Sequence, residues 1–240
     1  MSQRFYRTEV SARLTRFGVR YFESDLLISA RRDLTPQAEE TVRRTHDQIR
    51  AYCERFPEFR ATLTSLPVDA RAAPVVRAMM RAGKAAGVGP MAAVAGAVAD
   101  VVGRRLLRYS RDVIVENGGD IFLAVSRVCR IGLFAGPASV FNRLAIRIAP
   151  SQTPCGICTS SATVGPSLSF GKTHATVVMA RSAALADALA TSFGNMVRSD
   201  EDIEPALARA RRMRAVRGII IVTREKMASY GNIAWEILDK

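Results

Sequence analysis

Residues 174–195, HATVVMARSAALADALATSFGN, join a β-prone run to an alanine-rich run. The sequence predicts a strand from His174 to Met179 and then a helix from Ser182 to Asn195. Asp187 and Thr191 are four residues apart in that helix, so their side-chain oxygens lie on one face. A carboxylate and a hydroxyl suit Mg²⁺, although the same spacing fits an ordinary helix in which Thr191 bonds to its own backbone.

Around this unit, strands and helices cluster instead of alternating strictly. Residues 4–32 predict strands with a hairpin turn at Gly18, and Thr35 predicts the N-cap of a helix that ends near Arg55. Residues 70–108 predict helices, and strands follow at 112–116, 121–125, 130–135, 143–149 and 218–222, with a last one at 232–238 that closes the sheet. Clustered elements predict a single α+β domain over residues 1–240.

Composition and charge limit the classes of function. Of 240 residues, 48% are hydrophobic and 24% charged, which excludes disorder as the dominant state. The net charge is +13, but no nucleic-acid recognition motif accompanies it, so a nucleic-acid partner is disfavoured. The apolar window 85–102 contains Asp100 and several glycines, which favours a buried helix over a membrane span. With no secretory signal visible at its start, the sequence predicts a cytoplasmic protein.

Glycine-rich segments offer backbone positions that a ligand can approach closely. Gly96 lies among small residues and leaves room for another backbone or a ligand. Asn117-Gly118-Gly119-Asp120 fits a hairpin turn or a ligand-binding turn. Gly87-x-Gly89-Pro90 fits a tight turn or an anion site at a helix start.

Hydroxyl, thiol and imidazole groups provide further candidates. Residues 151–172 are rich in Ser, Thr and Gly, which predicts a loop or loop-edged strand that binds phosphate or ribose, or is simply polar. Cys155 and Cys158 form a single C-x-x-C, with metal, redox and purely structural roles all open. His174 is the one candidate general base that we single out, and a structural role is the alternative.

In order along residues 88–195, these segments resemble the ApbE family of Mg-dependent FAD:protein FMN transferases. Residues 92–100 resemble its alanine-rich helix, 115–121 its paired-glycine turn, and 159–161 its threonine-serine segment. Residues 176–191 are the best match and resemble the strand and helix that carry the metal-binding Asp and Thr. The resemblance implies an α+β fold with an antiparallel sheet and packed helices. It makes 88–195 the core, flanked by N-terminal strands and helices in 1–87 and a C-terminal helix and strands in 196–240.

The resemblance also implies a set of site residues. Asp187 and Thr191 correspond to side-chain ligands of Mg²⁺, and the backbone carbonyl of Val94 corresponds to the third ligand. FAD, or another phosphorylated small molecule, and an acceptor protein are the implied partners. The residues that would line the flavin or nucleotide cleft are Gly96, Asn117, Gly118, Gly119, Asp120, Thr159, Ser160 and Ser161.

The sequence also departs from the family pattern. Ala95 stands where the family has a lysine, and Gly89 stands where it has an aspartate. The family's histidine and Pro-x-Thr-Gly segment is shortened to residues 171–174, and its lipoprotein signal is absent. The departures leave two functions open: a Mg-dependent flavin transferase, or a flavin- or nucleotide-binding protein without transferase activity. They leave the acceptor and the oligomeric state open as well.

Overall fold

The computed structural model describes residues 14–133, 144–160 and 173–237. The helices in these ranges are α1 (Thr35–Arg55), α2 (Pro57–Ala61), α3 (Pro74–Ala86), α4 (Val94–Leu106), α5 (Ala183–Met196) and α6 (Ile203–Arg212). The strands are β1 (Thr15–Tyr21), β2 (Ser24–Ala30), β3 (Val113–Asn117), β4 (Asp120–Ala124), β5 (Cys129–Gly132), β6 (Leu144–Ile148), β7 (Cys155–Ser160), β8 (Ala175–Ala180), β9 (Gly218–Val222), β10 (Met227–Gly231) and β11 (Ala234–Ile237).

The strands form a large and a small antiparallel sheet. Within the described ranges, eight strands pair in the order β1-β2-β3-β4-β7-β8-β9-β10, and three pair in the order β11-β6-β5. One face of the large sheet packs against the helices, and its other face packs against the small sheet. The predicted α+β class with an antiparallel sheet is therefore confirmed. Because the large sheet takes strands from both ends of the chain, it supports our proposal of one domain.

The turn of the first hairpin and the N-cap of the first helix lie at different residues from those predicted. Gly18 pairs with Leu27 inside the hairpin, and the turn comes later, at Phe22 and Glu23, with Phe22 at a φ of 49°. The chain therefore reverses without a glycine. α1 ends at Arg55 as predicted, but its N-cap position is Leu34. Asp33 Oδ1 accepts hydrogen bonds from both the N–H and the hydroxyl of Thr35.

The structure decides between two alternatives for one strand and corrects another. Residues 155–160 form β7, a buried strand of the large sheet, which agrees with the loop-edged strand and not with the loop that the sequence also allowed. Ala234–Ile237 pairs with β6 in the small sheet, whereas β10 forms the edge of the large one. The prediction that the last strand closes the main sheet was wrong because β10, none of whose residues is fully buried, shows no apolar run that would mark it as a strand of that sheet.

The apolar window becomes buried helix, as predicted. α4 buries most of its residues against the sheet and α5. No single helix in the described part of the chain has the length and hydropathy of a membrane span. α3 and the helical stretch 90–106 meet those criteria only as a pair bent by 105°.

α4, α5 and β7 meet where glycines allow backbone contact. A Cβ atom on Gly96 would lie 2.3 Å from the carbonyl oxygen of Ala183, and a Cβ on Gly156 would lie 2.3 Å from the Ala183 nitrogen and Cα. Both distances are far below van der Waals contact. The prediction that Gly96 admits another backbone is confirmed, and this packing fixes the first turn of α5 against both α4 and β7.

We expect Gly156→Ala to lower the free energy of unfolding by about 1–3 kcal/mol, because the added methyl group meets rigid backbone. Urea unfolding measures the change. Gly18→Ala is the matched control, since its Cβ would lie 3.8 Å from the nearest atom and leave stability unchanged or slightly higher. Equal stability of the Gly156→Ala variant and the unmodified protein would contradict this account of the packing.

Candidate functional site

Several of the predicted site residues lie at one end of the large sheet. The β3–β4 turn, the end of β7 and the start of β8 lie at this end. Asp120 pairs with Asn117 on one side and with Cys158 on the other, and Cys158 pairs with Val178. Directly paired residues project to the same face. Cys158 and Val178 belong to the core on the helix side, so this row of side chains faces α4 and α5.

Two aspartates cap the N-termini of α4 and α5 reciprocally. Asp187 of α5 accepts a hydrogen bond at Oδ2 from the N–H of Gly96, in the first turn of α4, at 2.9 Å. Asp100 of α4 accepts hydrogen bonds from the N–H groups of Ala183 and Ala184, the first residues of α5, at 3.0 Å each. The first N–H groups of a helix have no partner within the helix, and the helix dipole favours a negative charge there. Each helix therefore stabilises the start of the other.

Side chains from the sheet bind the same two helix starts. The Asn117 amide donates to the carbonyl oxygen of Ala95 at 3.1 Å, and the Cys158 thiol donates to the carbonyl oxygen of Ala183 at 3.2 Å. The row of paired residues on β3, β4 and β7 is thus attached to the backbone of both helices. Asp120 lies between Asn117 and Cys158 in this row, so its side chain is on the face of the sheet that both helices cover.

Burial makes this cluster of carboxyl groups electrostatically costly. Burial and the negative charge of Glu116 raise the pKa of Asp120 to about 7. Hydrogen bonds from Cys158 and the Thr159 N–H lower this pKa, but they do not outweigh the burial. Asp120 is only 9% exposed, and its Oδ1 has no hydrogen-bond partner among the described residues. Burial and the charge of Asp120 raise the pKa of Asp187, and burial also raises that of Asp100. A bound proton or a cation would relieve this repulsion.

The residues present fit a hard divalent cation. Val94 begins α4, and Asp187 reaches the first turn of that helix through Gly96. Thr191 lies one turn along α5 on the same face as Asp187, and both side chains are partly exposed. No group of three or more His, Cys, Asp or Glu residues forms a metal site in the described ranges. A cation here would therefore also use the hydroxyl and carbonyl oxygens that Mg²⁺ accepts.

The paired-glycine turn combines a structural requirement with open space. Gly118 and Gly119 have φ angles of 68° and 107°, which suits a two-residue hairpin turn. A Cβ on either glycine would meet nothing within 4 Å. A ligand can thus approach this backbone closely, at the same end of the sheet as Asp120.

The two described hydroxyl candidates on β7 face opposite ways. Ser160 lies beside Gly194 and Thr176 on the helix side, whereas Thr159 alternates to the other face of the sheet. Ser161 lies outside the described residues. A ligand on the helix side would contact the side chain of Ser160 but not that of Thr159.

His174 lies at the same end of the sheet but apart from the carboxyl groups. It precedes β8, is half-buried, and donates its backbone N–H to the Val222 carbonyl at 2.9 Å. Four residues separate it from Val178, which corresponds to about 13 Å along an extended strand. A catalytic role for His174 stays a prediction.

The Gly87–Pro90 segment is a tightly packed turn. Gly87 ends α3 in the left-handed conformation, with a φ of 75°. Gly89 donates its N–H to the carbonyl oxygen of Leu63, and a Cβ on Gly89 would lie 2.0 Å from the Thr62 carbonyl oxygen. The local packing therefore leaves no space for the aspartate that the family has here.

Sequence reasoning did not predict the contact between Cys158 and Asp120. Cys155 and Cys158 are three residues apart in a strand, so they face opposite sides of the sheet and do not form a pair. Both thiols are free. Sequence reasoning also missed the reciprocal caps, although a signal exists: residues 97–102, AVADVV, and 184–189, ALADAL, share one pattern with the capping aspartate in the same place.

Comparisons with known proteins agree on the family and the fold. A family model described as AbpE bacteria matches residues 7–226. A UPF0280 protein from Methanocaldococcus jannaschii is 37% identical over 202 residues, which cover 82% of each chain. A UPF0280 protein from Methanothermobacter thermautotrophicus is 42% identical over 189 residues, which cover 76% of this chain and 72% of the relative.

Solved structures show the same architecture at much lower identity. The flavin transferase ApbE from Vibrio cholerae, in its H257G mutant, aligns with a TM-score of 0.59 at 15% identity, covering 91% of this chain and 97% of its own. The ApbE protein from Thermotoga maritima aligns with a TM-score of 0.59 at 12% identity, covering 94% and 97%. The predicted resemblance in fold is confirmed.

We expect the stability of the protein to fall between about pH 4 and pH 7 because of Asp120. Its raised pKa means that the folded state binds the proton more tightly than the unfolded state, so raising the pH through this range favours unfolding. Each unit of difference between the folded-state and unfolded-state pKa corresponds to about 1.4 kcal/mol in the free energy of unfolding. Urea unfolding across this range should show a decline that is smaller in Asp120→Asn, in which the raised pKa values of Asp187 and Asp100 still contribute.

Asp112→Asn is the control, because the contribution of Asp112 to stability changes with pH in the opposite direction. Although burial opposes it, hydrogen bonds from Ser126 and Arg31 lower the pKa of Asp112. The contribution of Asp112 to stability is therefore lost as the pH falls through its folded pKa, which lies below its usual value. Parallel stability curves for Asp120→Asn and the unmodified protein between pH 4 and pH 7 would contradict the assignment for Asp120.

Proposed function

Because the chain belongs to the family described as AbpE bacteria, we propose that it is a Mg²⁺-dependent flavin transferase that uses FAD. In this reaction the phosphoanhydride bond of FAD breaks, the FMN phosphorus forms a bond to an acceptor protein, and AMP leaves. The observation that carries the proposal is the hydrogen bond from Gly96 to Asp187, which brings the carboxyl group to the start of α4. The cytoplasmic location predicted from the sequence is part of the same proposal.

Each residue has a role that follows from its position. Asp187 and Thr191, with the carbonyl of Val94, would hold the cation, which when bound neutralises a diphosphate and polarises it for attack. The Gly118-Gly119 turn would let the diphosphate approach the backbone, since space is open above both glycines. Asn117 would keep the first turn of α4 in place through the Ala95 carbonyl. Ser160 would present a hydroxyl from the helix side of the sheet.

A second function has specific support: binding of a flavin or other nucleotide without transfer. Ala95 replaces the family's lysine, and packing against Thr62 excludes a side chain at Gly89. Two charged groups of the family pattern are thus missing beside the proposed site. Incubation with FAD, Mg²⁺ and a candidate acceptor protein distinguishes the functions, because a transferase leaves FMN covalently on the acceptor and releases AMP, and an enzyme of related phosphoanhydride chemistry also releases AMP. A binding protein leaves FAD intact.

We expect FAD to raise the thermal unfolding midpoint in the presence of Mg²⁺, with FMN, ADP and ATP as comparison ligands. A ligand at one hundred times its dissociation constant stabilises the native state by about 2.7 kcal/mol. Asp187→Asn should abolish the Mg²⁺-dependent part of the shift. Its amide oxygen still accepts from the Gly96 N–H, so the helix cap is retained.

Glu39→Gln serves as the control, because Glu39 is an exposed carboxylate on α1 and neutralising it leaves the site untouched. A Mg²⁺-dependent shift of the same size in Asp187→Asn and in Glu39→Gln would argue against the proposed cation site. No shift with either flavin would argue against flavin as the ligand.

A further inference from the structure

We propose that Asp120 supplies a second carboxylate to the cation that Asp187 holds, so that this chain binds the cation before any nucleotide. The inference rests on the proposed cation site and adds a ligand from the sheet to those from α4 and α5. Two observations carry it: the position of Asp120 in the sheet and its orphaned oxygen.

The position follows from strand register. Asp120 begins β4 opposite Asn117 of β3 and Cys158 of β7. Asn117 contacts the Ala95 carbonyl at the start of α4, and Cys158 contacts the Ala183 carbonyl at the start of α5. Asp120 therefore lies between two residues that each touch one of the helix starts, on the face of the sheet that these helices cover.

The carboxyl group of Asp120 has an unused acceptor. Its Oδ1 is buried and receives no hydrogen bond from any described residue, although a thiol and the Thr159 N–H reach the carboxyl group. Buried polar atoms nearly always have a partner, because desolvation without one is costly. The Cys158 thiol has a single proton, and the Ala183 carbonyl lies within its reach as well.

The shared position of the two carboxyl groups favours a cation as the missing partner. Asp187 reaches the start of α4 through the Gly96 N–H, and Asp120 is paired with Asn117, which contacts the Ala95 carbonyl at that same helix start. A divalent cation bound by both groups would offset both charges. Mg²⁺ and Mn²⁺ accept carboxylate oxygens, and Mg²⁺ sites with few carboxylates commonly depend on substrate phosphates. Two carboxylates allow binding without those phosphates.

The test is Mn²⁺ binding to the full chain without nucleotide. Binding is monitored as the decrease in the electron paramagnetic resonance signal of free Mn²⁺. We expect the unmodified protein to bind Mn²⁺ and Asp120→Asn to bind it at least tenfold more weakly. Glu116→Gln is the matched control, because it removes a carboxylate charge that acts on Asp120. Glu116 precedes Asn117 in β3, so its side chain projects to the opposite face of the sheet. The affinity of this variant should stay within about threefold.

Further outcomes separate this inference from the proposed function. If Asp120→Asn binds Mn²⁺ as the unmodified protein does, or no more weakly than Glu116→Gln, Asp120 is not a ligand. If the unmodified protein binds Mn²⁺ only when FAD is present, the inference fails while the proposed function stands. If Asp187→Asn also binds normally, the proposed cation site itself fails. Asp120→Ser is the second variant should Asp120→Asn not fold, and it should show the same loss.

Discussion

Reciprocal capping of α4 and α5 by Asp100 and Asp187 is the interaction on which the rest of the site depends. Each carboxylate accepts hydrogen bonds from the first turn of the other helix. This exchange is geometrically possible only because the helix starts touch, which Gly96 allows at the Ala183 carbonyl. The caps therefore set the relative position of two helices whose starts surround one end of the sheet.

The caps also offset part of the cost of burying these carboxyl groups. Helix N-termini present N–H groups and a partial positive charge, which compensate Asp100 and Asp187 directly. Asp120 has no helix start of its own, because it lies on a strand below them. Its carboxyl group is reached instead by the Cys158 thiol and the Thr159 N–H, and its Oδ1 has no hydrogen-bond partner among the described residues.

The sequence predicted those elements whose pattern differs from that of their surroundings. The β8–α5 unit, the Gly118-Gly119 turn and the end of α1 were predicted well because each has a local period or a strong turn signal. β7 was predicted as a loop or loop-edged strand because a strand covered on both faces shows no alternation, and Ser and Thr dominate its end. The contact between Cys158 and Asp120 could not be predicted, because it depends on the register between β4 and β7. These two strands are separated in the chain by β5 and β6. The reciprocal caps had a signal in the shared pattern of residues 97–102 and 184–189, but only the structure shows which helix each aspartate caps.

The departure at Gly89 follows from packing, and together with the alanine at position 95 it limits which groups the start of α4 can offer. Gly89 cannot carry a side chain, because the Thr62 carbonyl occupies the space that a Cβ would need. Ala95 provides no charge, and its carbonyl is already bound to Asn117. The start of α4 therefore offers backbone groups and no charged side chain. Charged and polar side chains come instead from α5 and from the row Asn117, Asp120 and Cys158 on the sheet.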